Sequence, residues 1–258
     1  FDNLFSFNII KCVREFNIDV IHIHDLPLGK TGHFAAKKTK KKLILDLHEN
    51  MPEALVAWRH KEKTSIKNVI MNMFHRFSRW KKYEKKCLKN ADLIITVIEE
   101  MKQNLLASHD KLNEEKIVIV SNTEPLSFSK KEKDKDILAK YSNAFYALYI
   151  GGLGHHRGID TLIKSAQYLD DGVKILIVGG GAKEFETYLK SLLENSGCQN
   201  QIEWIGPQPF AKVDSFIAAS SVGIIPHHSN PHCDNTIPHK LFHFMLEKKP
   251  LIVSSSKA

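Results

Sequence analysis

The sequence predicts an α/β fold of two Rossmann-like domains facing each other, truncated at both ends, and three observations carry that reading. Short β-branched runs alternate with longer stretches of helical period, the pattern of a parallel sheet with helices on both faces. The runs are nearly all apolar, as strands buried on two faces must be. A charged, Ser/Lys/Asp-rich break near the middle of the chain separates four such runs from five.

The strand candidates are residues 20–23, 43–46, 93–97, 117–120, 147–150, 174–178, 202–204, 222–225 and 251–253. The break begins at Ser127, so the expected organisation is an acceptor-side domain over 1–126, a linker over 127–145 and a ligand-binding domain over 146–258. In two such units, ligands bind beyond the carboxyl ends of the strands. The chain opens at Phe1 without methionine, within a stretch of helical period, and so reads as the central piece of a longer one.

Composition narrows the class. The 258 residues are 43% hydrophobic and 26% charged, which is globular and allows two domains. No run of about 18 apolar residues is present to span a membrane. Cys12, Cys87, Cys198 and Cys233 are too scattered for a disulfide framework or a thiolate zinc site, which favours a cytoplasmic setting. The net charge of +8 is local: between Arg59 and Lys89 stand eleven basic residues against Glu62 and Glu84, a surplus larger than that of the whole chain. Ile66, Val69, Ile70, Met73, Phe74, Phe77 and Trp80 recur there at spacings of three and four. That pattern fits an amphipathic helix on an anionic membrane surface, or one packed on its own domain with a solvated basic face. No nucleic-acid recognition module accompanies the charge.

The residues with chemistry cluster after strands. Following 147–150 comes Gly151-Gly152-Leu153-Gly154-His155-His156-Arg157-Gly158, in which glycine lets the backbone approach a ligand and Arg157 offers a planar fork to phosphate oxygens. A second turn, Gly179-Gly180-Gly181, ends the next strand, where a base or ribose can pass close to the backbone. Neither matches G-x-G-x-x-G with a downstream acid, so a nicotinamide cofactor is not expected, nor any other. After 222–225, a polar loop runs through Asn235 and Thr236 to Pro238, which marks a helix start with Leu241, Phe242, Phe244 and Met245 expected inward. Thr236, Lys240 and the helix amides there form an expected diphosphate cradle. His239 and His243 lie one helical turn apart, yet no carboxylate or thiolate pair completes a metal set at familiar spacing, so no metal is expected. In the first half, His24 and Asp25 end one strand, and His48 and Glu49 follow the next; His24, His48 and Glu49 are the acceptor-side candidates for catalysis.

Taken with Asp19-Val20-Ile21-His22-Ile23-His24-Asp25, Asp46-Leu47-His48-Glu49 and Ala91-Asp92-Leu93-Ile94-Ile95-Thr96-Val97, these motifs resemble bacterial glycosyltransferase family 4, whose fold is GT-B. The resemblance spans nearly the whole chain. It implies a retaining, metal-independent transfer from a nucleotide diphosphate sugar; with the basic stretch 59–89, the expected acceptor is a polysaccharide or lipid-linked one met at the inner face of the cytoplasmic membrane. It implies that the second domain holds the donor, with Arg157 and Lys240 on the diphosphate. The chain departs from the pattern at Gly152, where the family has arginine, and at Asn235 and His243, where it has two glutamates, the second of which holds the ribose. Two other readings share these features, a catalytically degenerate GT-B protein that binds a partner and a nucleotide-sugar epimerase.

Overall fold

In the computed structural model the described residues are 3–57 and 76–255. Each of the nine strand candidates forms: β1 Val20–His24, β2 Lys42–Leu47, β3 Leu93–Thr96, β4 Ile117–Ile119, β5 Phe145–Ile150, β6 Val173–Val178, β7 Ile202–Gly206, β8 Val222–Ile225 and β9 Leu251–Val253. They make two sheets, ordered β1-β2-β3-β4 and β7-β6-β5-β8-β9. Every pairing is parallel, because each strand returns through a helical crossover.

The chain divides into two compact units, Phe1–Ser121 with Asp234–Ile237, and Asn122–Cys233 with Pro238–Ser256. In the first, β1 alternates strictly: Ile21 and Ile23 enter a core with Leu43, Leu45 and Ile94, while His22 and His24 stay exposed. In the second, the sheet is buried on both faces. Leu148 and Tyr149 are adjacent in β5 and both fully buried, yet Leu148 packs with Leu176, Phe216 and Phe244, and Tyr149 with Ile159, Ile163 and Ile177. Opposite projection of neighbouring side chains puts them in separate cores, and each such burial contributes roughly 1.5–3 kcal/mol.

Two features depart from the sequence expectation. The run 127–145, expected as a linker, is an integral part of the second unit. It forms a 3-10 turn at Leu126–Phe128 and a helix at Lys135–Tyr141, and it buries Phe128, Ile137 and Tyr141. Its charges have partners: Lys133 Nζ lies 3.4 Å from Asp214 and 2.5 Å from Glu247, and Asp214 is 1% exposed. A lysine-rich stretch reads as solvated only while the acids it meets, 81 and 114 residues further on, are out of view.

The second departure is the helix after Pro238, which covers Lys240–Leu246 and is only seven residues long. Its buried face is Lys240, His243 and Phe244, whereas Met245 is exposed. Helical period sets 240, 243 and 244 on one side. Phe244 fits because position 223 is glycine; a Cβ there would stand 2.6 Å from the Phe244 ring.

The basic helix of the first unit is described over Phe77–Asn90. Trp80, Tyr83, Cys87 and Leu88 pack against the first unit's core, and Lys82, Lys85, Lys86 and Lys89 are exposed. The earlier stripe residues Ile66, Val69, Ile70, Met73 and Phe74 lie outside the described residues. No helix among the described residues is long and apolar enough to cross a membrane.

Replacing Lys133 by methionine leaves Asp214 and Glu247 without their counter-charge. Urea unfolding of the Lys133→Met protein should show a loss of about 2–3 kcal/mol, somewhat below the cost of breaking a fully buried pair because Lys133 is partly solvated. A change under about 0.5 kcal/mol, the size of an ordinary surface substitution, would show that this run is not docked.

Candidate functional site

The second unit gathers its polar groups at the carboxyl ends of β5, β6 and β8. After β5 the backbone turns at Gly151 with φ 133°, and after β6 at Gly179 with φ 153°. A Cβ at Gly179 would collide with the Gly151 carbonyl, so the two turns close on each other because Gly179 lacks a side chain. The strand pairing continues past the sheet, with Gly151 N–H donating to the Val178 carbonyl and Leu153 N–H to the Gly180 carbonyl, each at 2.9 Å. Gly158 ends the Arg157 turn at φ 67°, and a Cβ there would strike the Pro226 carbonyl. That contact ties the loop to the end of β8.

Lys240 projects into this corner. It is 8% exposed, and its Nζ lies 3.9 Å from the centre of the Tyr149 ring. An ideal Cβ on Gly151 would come within 3.2 Å of the same Nζ, so glycine there keeps the space open. Tyr149 is pinned by its hydroxyl, which donates to the Gly152 carbonyl at 2.6 Å. Its burial pushes the phenol up to about 12, so the ring stays neutral and presents its face to the amine.

Lys240 Nζ has no hydrogen-bond partner. Neither it nor Arg157 has an ion-pair partner among the described residues. Burial, then the nearby charge of Arg157, lowers the Lys240 pKa well below the ordinary lysine range. The same two causes act on the surrounding imidazoles. His156 is held down to about 4 and His232 to about 4, by burial first and Arg157 next. His227 is held down to about 3 by burial, then Lys240 and Arg157. Added protons are costly throughout this corner, and an anion there would offset that cost.

Of the expected donor residues, Gly151, Arg157, Gly179, Gly180 and Lys240 come together in this unit. Gly152 is exposed, and the nearest atom to a Cβ added there would be the Gly180 carbonyl oxygen at 4.0 Å, so position 152 has room for a longer side chain. Asn235, which is buried, and Thr236 belong to the segment Asp234–Ile237 that groups with the first unit. His243 is 7% exposed; its ring stacks on Phe128 at 4.3 Å and its Nε2 lies 3.0 Å from Glu124. His239 Nδ1 meets the same Glu124 oxygen at 3.1 Å. Burial works against the Glu124 charge, but His239 and His243 outweigh it and hold the carboxyl below its usual range. Glu124 thus sets a carboxylate beside position 243, where the resembled family has a glutamate. Nothing in its surroundings along the chain signals this, since its partners lie more than a hundred residues away.

In the first unit His24 is exposed at the end of β1, and His48 and Glu49 are half-buried just after β2. His48 is held by its backbone N–H, which donates to Asp25 Oδ1 at 3.1 Å.

Comparison with known proteins identifies the family and the fold. The profile of Glycosyltransferase Family 4 matches residues 1–123, and that of Glycosyl transferases group 1 matches residues 130–257. An uncharacterised glycosyltransferase of Methanocaldococcus jannaschii is 26% identical over 218 residues, covering 84% of this chain and 52% of the relative. Among solved structures, Anabaena HepE in complex with UDP aligns with a TM-score of 0.73 at 16% identity, over 97% of this chain and 63% of that one. Sucrose-phosphate synthase from Thermosynechococcus elongatus aligns at 0.72 and 16% identity, over 98% of this chain and 62% of that one. These two solved structures share the fold. The protein belongs to the GT-B glycosyltransferases of family 4 type. The chain spans about half the length of the curated relative it matches.

Because His156 and His227 resist protonation only when folded, the unfolded chain binds protons between about pH 6.5 and 4 that the native protein refuses. Stability from this source is therefore full above pH 6.5 and falls as pH drops through that window. Urea midpoints of wild type and a His156→Gln/His227→Gln protein should diverge accordingly, with the variant falling less steeply from pH 7 to pH 5. Parallel slopes would show that the two rings are not the source.

Proposed function

We propose that this protein transfers a sugar, with retention of configuration, from a nucleotide diphosphate sugar to a polysaccharide or lipid-linked acceptor. The observation that carries the proposal is the buried, unpartnered Lys240 beside Arg157 at the glycine turns of β5 and β6. A buried amine without a counter-ion gives up its proton readily and regains its charge when a ligand supplies an anion. The diphosphate fits: Arg157 offers a planar pair of donors to its oxygens and Lys240 a point charge. As the sugar bond breaks, the leaving diphosphate gains negative charge, and both groups are already in position to stabilise it without a metal ion at that place. Gly179 and Gly180 leave room for the ribose and base to pass the end of β6. Trp204, whose indole N–H donates to the Gly179 carbonyl at 3.0 Å, flanks that path. Support for uridine as the base comes from HepE, which has been solved with UDP and with UDP-glucose.

The exposed lysines of Phe77–Asn90 support peripheral attachment to an anionic membrane from the cytoplasmic side, where a lipid-linked acceptor would be met. Asn235 and His243, where the resembled family has glutamates, favour a second reading, a protein that binds nucleotide yet does not turn it over.

Calorimetry with UDP, GDP and ADP on the full-length protein tests the donor assignment. Arg157→Ala should weaken the favoured nucleotide by roughly ten-fold to a hundred-fold, the loss of one charged hydrogen bond of about 1.5–3 kcal/mol. Binding should also take up protons, because the diphosphate raises the depressed Lys240 pKa. The apparent enthalpy should therefore depend on the buffer's ionisation enthalpy in wild type and not in Lys240→Met. No binding of any nucleotide would overturn the proposal, and binding without sugar transfer would select the second reading.

A further inference from the structure

The first unit carries a side-chain cluster that the donor chemistry does not use. The parallel register pairs His24 with Asp46 and His22 with Ile44. Two-residue periodicity then sets His22 and His24 of β1, and Asp46 and His48 at the end of β2, on one face. All three imidazoles aim a ring nitrogen at a single atom, Asp46 Oδ2: His22 Nε2 at 3.0 Å, His48 Nε2 at 3.1 Å and His24 Nδ1 at 3.6 Å. The rings are stacked, His22 on His24 and His24 on His48, with centroids 5.0 Å apart in both pairs.

Hydrogen bonding is a poor account of this arrangement. One carboxylate oxygen has two lone pairs, and three nitrogens converge on it. Only His22 meets it as a hydrogen bond, and His48 Nε2 is buried without one. Asp46 is itself 6% exposed, and its other oxygen, Oδ1, has no partner. A buried carboxylate with one oxygen unsatisfied is expensive, and a cation would relieve it.

Metal coordination accounts for the same distances. Ligands at about 2.0–2.1 Å around a tetrahedral zinc ion are separated from one another by about 3.3 Å, and the three nitrogen-to-oxygen distances bracket that value. The ligand atoms of His22, His24 and Asp46 lie within 4.8 Å of one another. Two imidazoles and a carboxylate form a borderline nitrogen and oxygen set, suited to zinc and its neighbours and not to calcium or magnesium. The support around the ligands is also built. Asp25 sits at φ 60°, donates its N–H to the Asp46 carbonyl at 2.7 Å, and accepts the His48 N–H on its carboxylate. A non-glycine residue held in that conformation stores strain that the two hydrogen bonds offset, and it fixes the ends of both strands.

We propose that His22, His24 and Asp46 bind a divalent zinc-like ion that clamps β1 to β2. The site lies wholly in the first unit, and the diphosphate residues Arg157 and Lys240 lie in the second. The inference therefore does not rest on the donor assignment. It gives His24 a ligand role in place of the acceptor-side role that its position in the sequence suggests.

The test is titration of tag-free, full-length protein, stripped with EDTA, with Zn2+ by calorimetry and with Co2+ by visible absorption, in the absence of nucleotide. One equivalent should bind, Co2+ should develop the intense bands of a tetrahedral site, and Zn2+ should raise the melting temperature reversibly. His22 and His24 are exposed, so His22→Gln and His24→Gln should stay folded by circular dichroism, yet each should weaken binding at least about ten-fold, the minimum seen for losing even an outer-shell partner. His33→Gln, at a half-buried histidine of the same unit outside the cluster, should bind as wild type. Failure to bind one equivalent, or equal affinity in wild type and His22→Gln, would overturn the proposal.

Discussion

The constraint on which the structure depends is burial of parallel strands on both faces. Leu148 and Tyr149 must each find a separate core on opposite sides of one sheet, so β5 has no position left for a polar side chain. Chemistry is thereby expelled to the carboxyl ends of the strands. Gly151 and Gly179, the ends of β1 and β2, and the loop after β8 all stand where the apolar pattern stops. The glycine turns are a consequence too, since the end of β6 approaches the Gly151 carbonyl so closely that Gly179 tolerates no side chain.

Against that background the buried polar groups sort into two kinds. Some are satisfied within the protein: Glu84 meets both Lys81 and His109 at 2.9 Å, and Lys133 meets Asp214 and Glu247. These act as structural ties, joining segments far apart in the chain. Others are held without enough partners, among them Lys240 in the second unit and the Asp46 carboxylate in the first. One is an amine with no anion beside it and the other a carboxylate with one oxygen unpaired. They call for ligands of opposite sign, and both lie at strand ends, where the fold leaves access to solvent.

Much of this is legible along the chain. β-branched runs locate every strand to within a residue or two, because a strand buried on both faces admits little else. Gly151 to Gly158 and Arg157 stand out for the same local reason, a glycine cluster directly after such a run. The helix after Pro238 is legible in place but not in orientation. Leu241, Phe242, Phe244 and Met245 are apolar and nearly contiguous, so hydrophobicity alone turns them inward, while the structure buries Lys240 and His243 with Phe244 and exposes Met245. The lysines of 127–145 read as a solvated linker because their acidic partners follow 63 to 114 residues later, beyond intervening strands.

The sequence by itself determined the strands, their alternation with helices, the glycine turns and the family, since each depends on residues within one turn or one strand of each other. The tertiary structure decided which charges meet. It placed Lys240 under the Gly151 turn, Glu124 against His239 and His243, and His22, His24 and His48 around Asp46. Those pairings depend on strand register and on helix rotation over separations of tens to more than a hundred residues, and local pattern carries no information about either.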